Sequence, residues 1–252
     1  MHIIPITTPI IKPKDNLVDT FLSAIDKLGL QIEDGDLLAI ASKAVATEQE
    51  RQIKLCRVSP SRKARVLAEK YSLEADFAQL IIEEADKIFG GVKRAVLTLK
   101  DGNLTVNAGI DLKNAREGHA ILWPLNTHQE AETIRSELSE RTGRQIGVLI
   151  VDSDVAPLRM GTRGLALAVA GFRPVKDYRN HVDLFGRTLR ITRHSMADDL
   201  ASAAHALMGE SDERKAFVLI KGAPVTFTRE RTNPEDLLIP FENCVYGSML
   251  KS

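Results

Sequence analysis

Cysteine is nearly absent from this chain of 252 residues: only Cys56 and Cys244 occur, far apart in sequence. They make no disulfide framework and no zinc spacing, and two reduced, buried thiols are expected. A net charge of either sign is lacking too. Lys+Arg and Asp+Glu both number 34, which argues against bulk binding to nucleic acid or to an anionic membrane. No uncharged apolar run approaches the roughly 18 residues of a membrane helix. Residues 1–5 lack the basic start of a signal peptide, and Pro5 and Pro9 interrupt the apolar run. The expectation is a soluble, cytoplasmic protein. The common catalytic and nucleotide signatures are missing as well: there is no G-x-x-x-x-G-K-[ST], no strand-linked G-x-G-x-x-G, no H-E-x-x-H and no G-x-S-x-G. The six histidines show no ligand spacing.

What is present is enough apolar material, 44% of residues, for a sizeable core in one or two domains. No linker interrupts the chain, so a single domain over 1–252 is expected. Strands are predicted over 3–6, 37–41, 145–151 and 216–221, and a hairpin over 95–106 about Asp101-Gly102. The segment 165–170 is too short to assign by pattern. Helices are predicted over 16–28 with Asp15 as cap, from Ser59-Pro60 onward, over 74–89 with a stop at Gly90-Gly91, over 127–141 behind a Thr127…Glu130 capping box, and over 195–208. The mixture, with at least one hairpin, points to an α+β fold with mixed and antiparallel sheets.

Two segments carry the chemistry. Val106-Asn107-Ala108-Gly109-Ile110-Asp111 and Val148-Leu149-Ile150-Val151-Asp152-Ser153 are apolar and end in a carboxylate. An aspartate at the mouth of a buried strand is costly unless a cation meets it. Two of them suggest a divalent metal, and a metal between carboxylates suggests phosphate chemistry. Ser42-Lys43, straight after a predicted buried strand, places a hydroxyl and an ammonium where a phosphate would be gripped. Glu210 follows the end of a helix, where the dipole disfavours an acid, and this makes it a ligand candidate.

In this order the segments resemble the coenzyme F420-0:γ-glutamyl ligase family. The resemblance covers Glu33-Asp34-Gly35-Asp36 with Ser42-Lys43, NAGID at 107–111 with Asn114, the strand ending at Asp152, Lys176-Asp177-Tyr178, DLFGR at 183–187, Ala197-Asp198-Asp199, and MGE at 208–210. It implies an enzyme that adds L-glutamate to the carboxylate of F420-0. GTP (or ATP) would phosphorylate that carboxylate, and two Mg2+ or Mn2+ ions would bridge the phosphates. It implies catalytic and metal-holding roles for Asp111, Asp152 and Glu210, with Ser153 as a further metal ligand. Nucleotide contacts would fall on Pro9, Ile10, Ile11, Ser42, Lys43, Asn114, Gly209 and Ser211. It also implies two intertwined lobes and a homodimer. Thr47 stands where the family usually has a second lysine, and Asp152-Ser153-Asp154-Val155-Ala156 where it usually reads D-T-x-G-R. The alternatives are the same chemistry on another carboxylated cofactor, such as folate, and a non-catalytic nucleotide- or metal-binding homologue.

Overall fold

A computed structural model describes residues 1–250. In chain order the elements are β1 (His2–Ile6), α1 (Leu17–Lys27), β2 (Leu37–Ala41), α2 (Ser42–Glu48), β3 (Gln52–Lys54), α3 (Arg62–Tyr71), α4 (Ala75–Glu84), β4 (Lys87–Val92), β5 (Ala95–Lys100) and β6 (Asn103–Val106). They continue with β7 (His119–Ile121), α5 (Thr127–Thr142), β8 (Gly147–Val155), β9 (Thr162–Ala170), β10 (Val175–Asp177), β11 (Arg193–Ser195), α6 (Met196–Met208), β12 (Phe217–Lys221) and α7 (Val245–Met249). The fold is α+β. Its main sheet has five strands in the order β1-β12-β2-β8-β9, and β2-β8 is its one parallel pair. The segment left open by pattern, 165–170, is strand β9.

Strand alternation divides the main sheet's side chains between two cores. Leu38, Ile40, Val148 and Ile150 join Phe21, Ile25, Ile134 and Leu138 of α1 and α5 on one face. Leu37, Ala39, Leu149 and Val151 join Leu200, Ala201 and Ala204 of α6 on the other. Gly164 of β9 lets α6 approach, since a Cβ there would lie 2.3 Å from the Ala201 carbonyl oxygen. A smaller antiparallel sheet, β4-β5-β6, lies beside the β3-β7 pair, and Ile88 of β4, Ile53 of β3 and Ala120 of β7 share a cluster with α3 and α4. Here Phe77, Leu80 and Ile81 meet Ala108, Ile110 and Leu122.

Several local expectations are corrected. Asn16, not Asp15, caps α1: its side chain accepts the Asp19 N–H at 2.7 Å, while Asp15 takes the Lys12 N–H. Ser61 caps α3, which starts beyond Pro60. The helix predicted to reach Phe89 ends at Glu84, and Gly90-Gly91 lies inside β4. A Cβ on Gly91 would stand 2.2 Å from the Ala95 carbonyl oxygen, so that pair marks a tight hairpin, not a helix stop. The 127–130 capping box does not form. Asn126 precedes the helix in a left-handed conformation, Thr127 is already helical, and Glu130 receives Gln49 Nε2. The two cysteines are free, but Cys56 is exposed and Cys244 half-buried.

Candidate functional site

Because β2 and β8 run parallel, their carboxyl ends open on the same side, the usual place for a ligand in such a sheet. Ala41 pairs with Val151, which sets Ser42 beside Asp152. The Ser42 hydroxyl donates to Asp152 Oδ1 at 2.8 Å. Asp152 follows Val148 and Ile150 onto the α1-α5 face, where Trp123 Nε1 donates to Oδ2 at 2.5 Å. It is not the end of its strand, which runs on to Val155. Desolvation pushes the Asp152 carboxyl up, and Lys43, Ser42 and Trp123 offset this only in part.

Asp111 does not end a strand either. The strand β6 stops at Val106, and Asn107, Ala108 and Gly109 follow with φ of 53°, 55° and 70°. Three left-handed residues in a row are costly for the two that carry a Cβ. They are held by the Asn107 side chain on the Val96 N–H and by the Thr98 hydroxyl, which accepts the Ala108 N–H, both at 2.9 Å. The chain then pairs Asp111 with Ile121 through a single bridge. The Asp111 carboxylate accepts the Lys113 N–H at 2.8 Å and meets Lys43 Nζ at 2.8 Å.

Glu210 lies just past α6. Lys113 Nζ reaches it at 2.9 Å and the His205 ring at 3.0 Å, and the Thr162 hydroxyl donates to it. Burial would push its carboxyl up, but Thr162, Lys113 and His205 outweigh this and hold it at about 2. The hydrogen bond to Glu210 keeps the Lys113 ammonium above its ordinary value. Asn114 Nδ2 donates to the Ser211 carbonyl at 2.8 Å, tying the 111–114 segment to the turn after α6.

Between these groups lies a cavity of about 590 Å³. Pro9, Ile10, Ile11, Ser42, Lys43, Asn114, Asp152, Ser153, Gly209, Glu210 and Ser211 all line it. Asp111 is outside the lining and joins it through Lys43. Asp152 and Glu210 line the cavity while Asp111 stands behind Lys43, and among the described residues no three His, Cys, Asp or Glu are grouped to hold a metal ion. Lysines stand between them. Sequence reasoning missed Trp123, Lys113, His205 and Thr162, all of which bind one of these acids. It also missed Asp154, pushed up to about 6 by desolvation, with the charge of Asp152 adding to the effect. The Asp-x-Lys spacing at 111–113 was the one available signal, because it suits a side-chain-to-backbone turn. Thr47 lines the cavity and accepts Gln52 Nε2 at 3.0 Å.

Other matched motifs lie elsewhere. Asp36 is buried at the opposite end of β2, where it takes the Glu33 N–H and Lys221. The DLFGR loop is exposed, with Phe185 83% accessible.

Comparison with known proteins adds a decisive observation: the F420-0:gamma-glutamyl ligase family profile matches residues 5–222. The chain belongs to that family. It is 38% identical over 216 residues to the coenzyme F420:L-glutamate ligase of Methanocaldococcus jannaschii, covering 85% of this chain and 86% of the relative. It is 33% identical over 217 residues to the enzyme so named from Archaeoglobus fulgidus, covering 86% and 85%. For that of Methanothermobacter thermautotrophicus the identity is 34% over 239 residues, covering 94% and 95%. As a member of the F420-0:γ-glutamyl ligase family the chain is an enzyme, an amide-forming ligase. Among the described residues no helix is long and apolar enough to cross a membrane.

Proposed function

We propose that this enzyme adds L-glutamate to the terminal carboxylate of F420-0, using GTP or ATP. One observation carries the reading: a single cavity at the carboxyl ends of β2 and β8 has 9–11, 42–43, 114, 152–153 and 209–211 in its lining. The family resemblance puts nucleotide and metal at these stretches, and a further metal ligand at Asp111, which lies outside the lining. Its volume of about 590 Å³ suits a small-molecule ligand.

The chemistry follows from the acceptor. A carboxylate has no leaving group, so its oxygen takes the nucleotide's terminal phosphoryl group, the P–O bond to the nucleoside diphosphate breaks, and the diphosphate leaves. The glutamate amine then attacks the acyl carbon, the C–O bond to phosphate breaks, the nitrogen gives up a proton to solvent, and an amide and inorganic phosphate result. Lys43 and Ser42 would grip phosphate oxygens at the strand end. The walls at Pro9, Ile10 and Ile11 would hold the base, and Asn114, Gly209 and Ser211 would fix the polar end of the nucleotide.

The donor set suits a hard divalent cation in its chemistry, oxygen ligands throughout, though the acids are not gathered in one cluster: Lys43 pairs with Asp111, Lys113 with Glu210, and Asp152 bonds Ser42 and Trp123. Asp111, Asp152, Ser153 and Glu210 would hold Mg2+ or Mn2+. When bound, the metal would neutralise charge on the transferred phosphoryl group.

The proposal includes a cytoplasmic homodimer built as one unit of two intertwined lobes. Leu158, Met160, Leu184, Phe185 and Ile191 favour a covered surface, each at least 83% exposed.

The test is incubation with GTP or ATP, Mn2+, glutamate and either F420-0 or folate, followed by mass spectrometry. F420-0 is expected to gain a glutamyl residue. A gain on folate alone would overturn the acceptor, and consumption of neither nucleotide with either acceptor would overturn the whole reading.

A further inference from the structure

Each oxygen of Asp152 has its own donor, and the two donors differ in kind. Ser42 is a neighbour placed by strand register. Trp123 comes from the segment after β7, and it is the only tryptophan in the chain. Trp123 is 4% exposed. Its carbonyl accepts Arg51 Nε at 3.1 Å, and Arg51 is held in turn by Glu84 at 2.8 Å. The opposing backbone is shaped around the indole: a Cβ on Gly109 would lie 2.0 Å from Trp123 Nε1, and Gly109 sits at φ +70° at the end of the left-handed run. Packing alone would be met by any large apolar ring. A ring whose polar atom meets a carboxylate, with clearance made for that atom, does something more specific.

We propose that Trp123 is a positioning residue of this site. Its N–H fixes the plane of the Asp152 carboxylate and leaves the lone pairs unused by Ser42 and Trp123 free for a cation at the cavity. The inference rests on the reading of Asp152 as a metal-holding residue.

Trp123→Phe keeps an aromatic ring and deletes the donor. Replacement by 3-benzothienylalanine, introduced by amber suppression, keeps the bicyclic shape too. Mn2+ binding is measured from the electron paramagnetic resonance signal of the free ion, beside kcat and KM for amide formation. Both variants are expected to bind Mn2+ about tenfold more weakly or worse, the usual scale for a lost outer hydrogen bond, with a melting temperature within a few degrees of wild type. In the wild type, Mn2+ is expected to quench the emission of this lone indole, and Asp152→Asn to abolish the quenching. If both variants bind Mn2+ as tightly as wild type, Trp123 serves packing only and the inference falls while the site stands. If Trp123→Phe does not fold, the benzothienyl variant decides. A wild type that takes up no Mn2+ overturns the metal reading and this inference with it.

Discussion

Lys43 Nζ lies 2.8 Å from Asp111 Oδ2, although the two residues come from different sheets, one following β2 and the other bridged to β7. The pair joins the segment after β2 of the main sheet to the β3-β7 pair beside the cavity. Both side chains are about a quarter exposed, at 26% and 23%. The contact should therefore contribute modestly to stability and more to activity. Lys43→Met is expected to lower kcat/KM by about a hundredfold, as for loss of a preorganised charge at a transferring group. Stability should change by no more than about 1 kcal/mol. Steady-state kinetics and urea unfolding check both.

Asp152→Asn should separate stability from function. Desolvation raises the Asp152 carboxyl in the fold. A raised acid favours the folded state while protonated and works against it once ionised. At neutral pH, in the presence of a chelator, the isosteric amide is expected to melt higher than wild type. Turnover should be nearly lost. A lower melting temperature would show that the charge is not a burden on the empty fold.

Glu84 offers a pH test away from the cavity. It bridges Arg51 at 2.8 Å and Lys100 at 3.0 Å. Burial pushes its carboxyl up, but the two cations prevail and it lies below its usual value. A lowered acid stabilises the fold above its unfolded value of about 4.5 and loses that contribution as pH falls through the lower folded value. Glu84→Gln should therefore destabilise the protein by about 1–3 kcal/mol at pH 7. The gap should close as pH drops below 4.5, as followed by denaturant unfolding at each pH.

The exposed apolar loops give the test of assembly. Leu158→Asp with Phe185→Asp is expected to convert the proposed dimer to monomer in sedimentation velocity. Unchanged sedimentation would exclude these loops from the interface.

Metal removal is the most direct test of the donor set. Chelation should abolish turnover, and Mn2+ or Mg2+ should restore it. Saturating metal should also stabilise the fold by about 2.7 kcal/mol at a hundred times the dissociation constant, seen as a higher melting temperature. Asp111→Asn should blunt both effects.

Much of this was legible in the chain. The strand ending before Ser42 and the buried run into Asp152 follow from length and apolarity, and parallel pairing then places the two side by side. What escaped was set by tertiary partners. Trp123 looks like any core aromatic until Asp152 stands beside it. His205 is one residue of a helix until the turn after α6 brings Glu210 back to it. The Gly90-Gly91 pair misled because glycine ends helices and also admits close hairpins, and only the Ala95 carbonyl oxygen tells which. The 106–111 segment misled because its apolar letters hide three left-handed residues.

Pairing β2 with β8 also sets an order of events. The two strands are joined across more than a hundred residues of intervening chain, so the ligand pocket forms only after slow, long-range closure. A nascent polypeptide that has emerged only as far as α5 has Lys43 and Asp111 but no Asp152 opposite them. It should therefore be blind to the proposed nucleotide, and affinity would appear only after β8 has docked and the turn after α6 has added Gly209, Glu210 and Ser211.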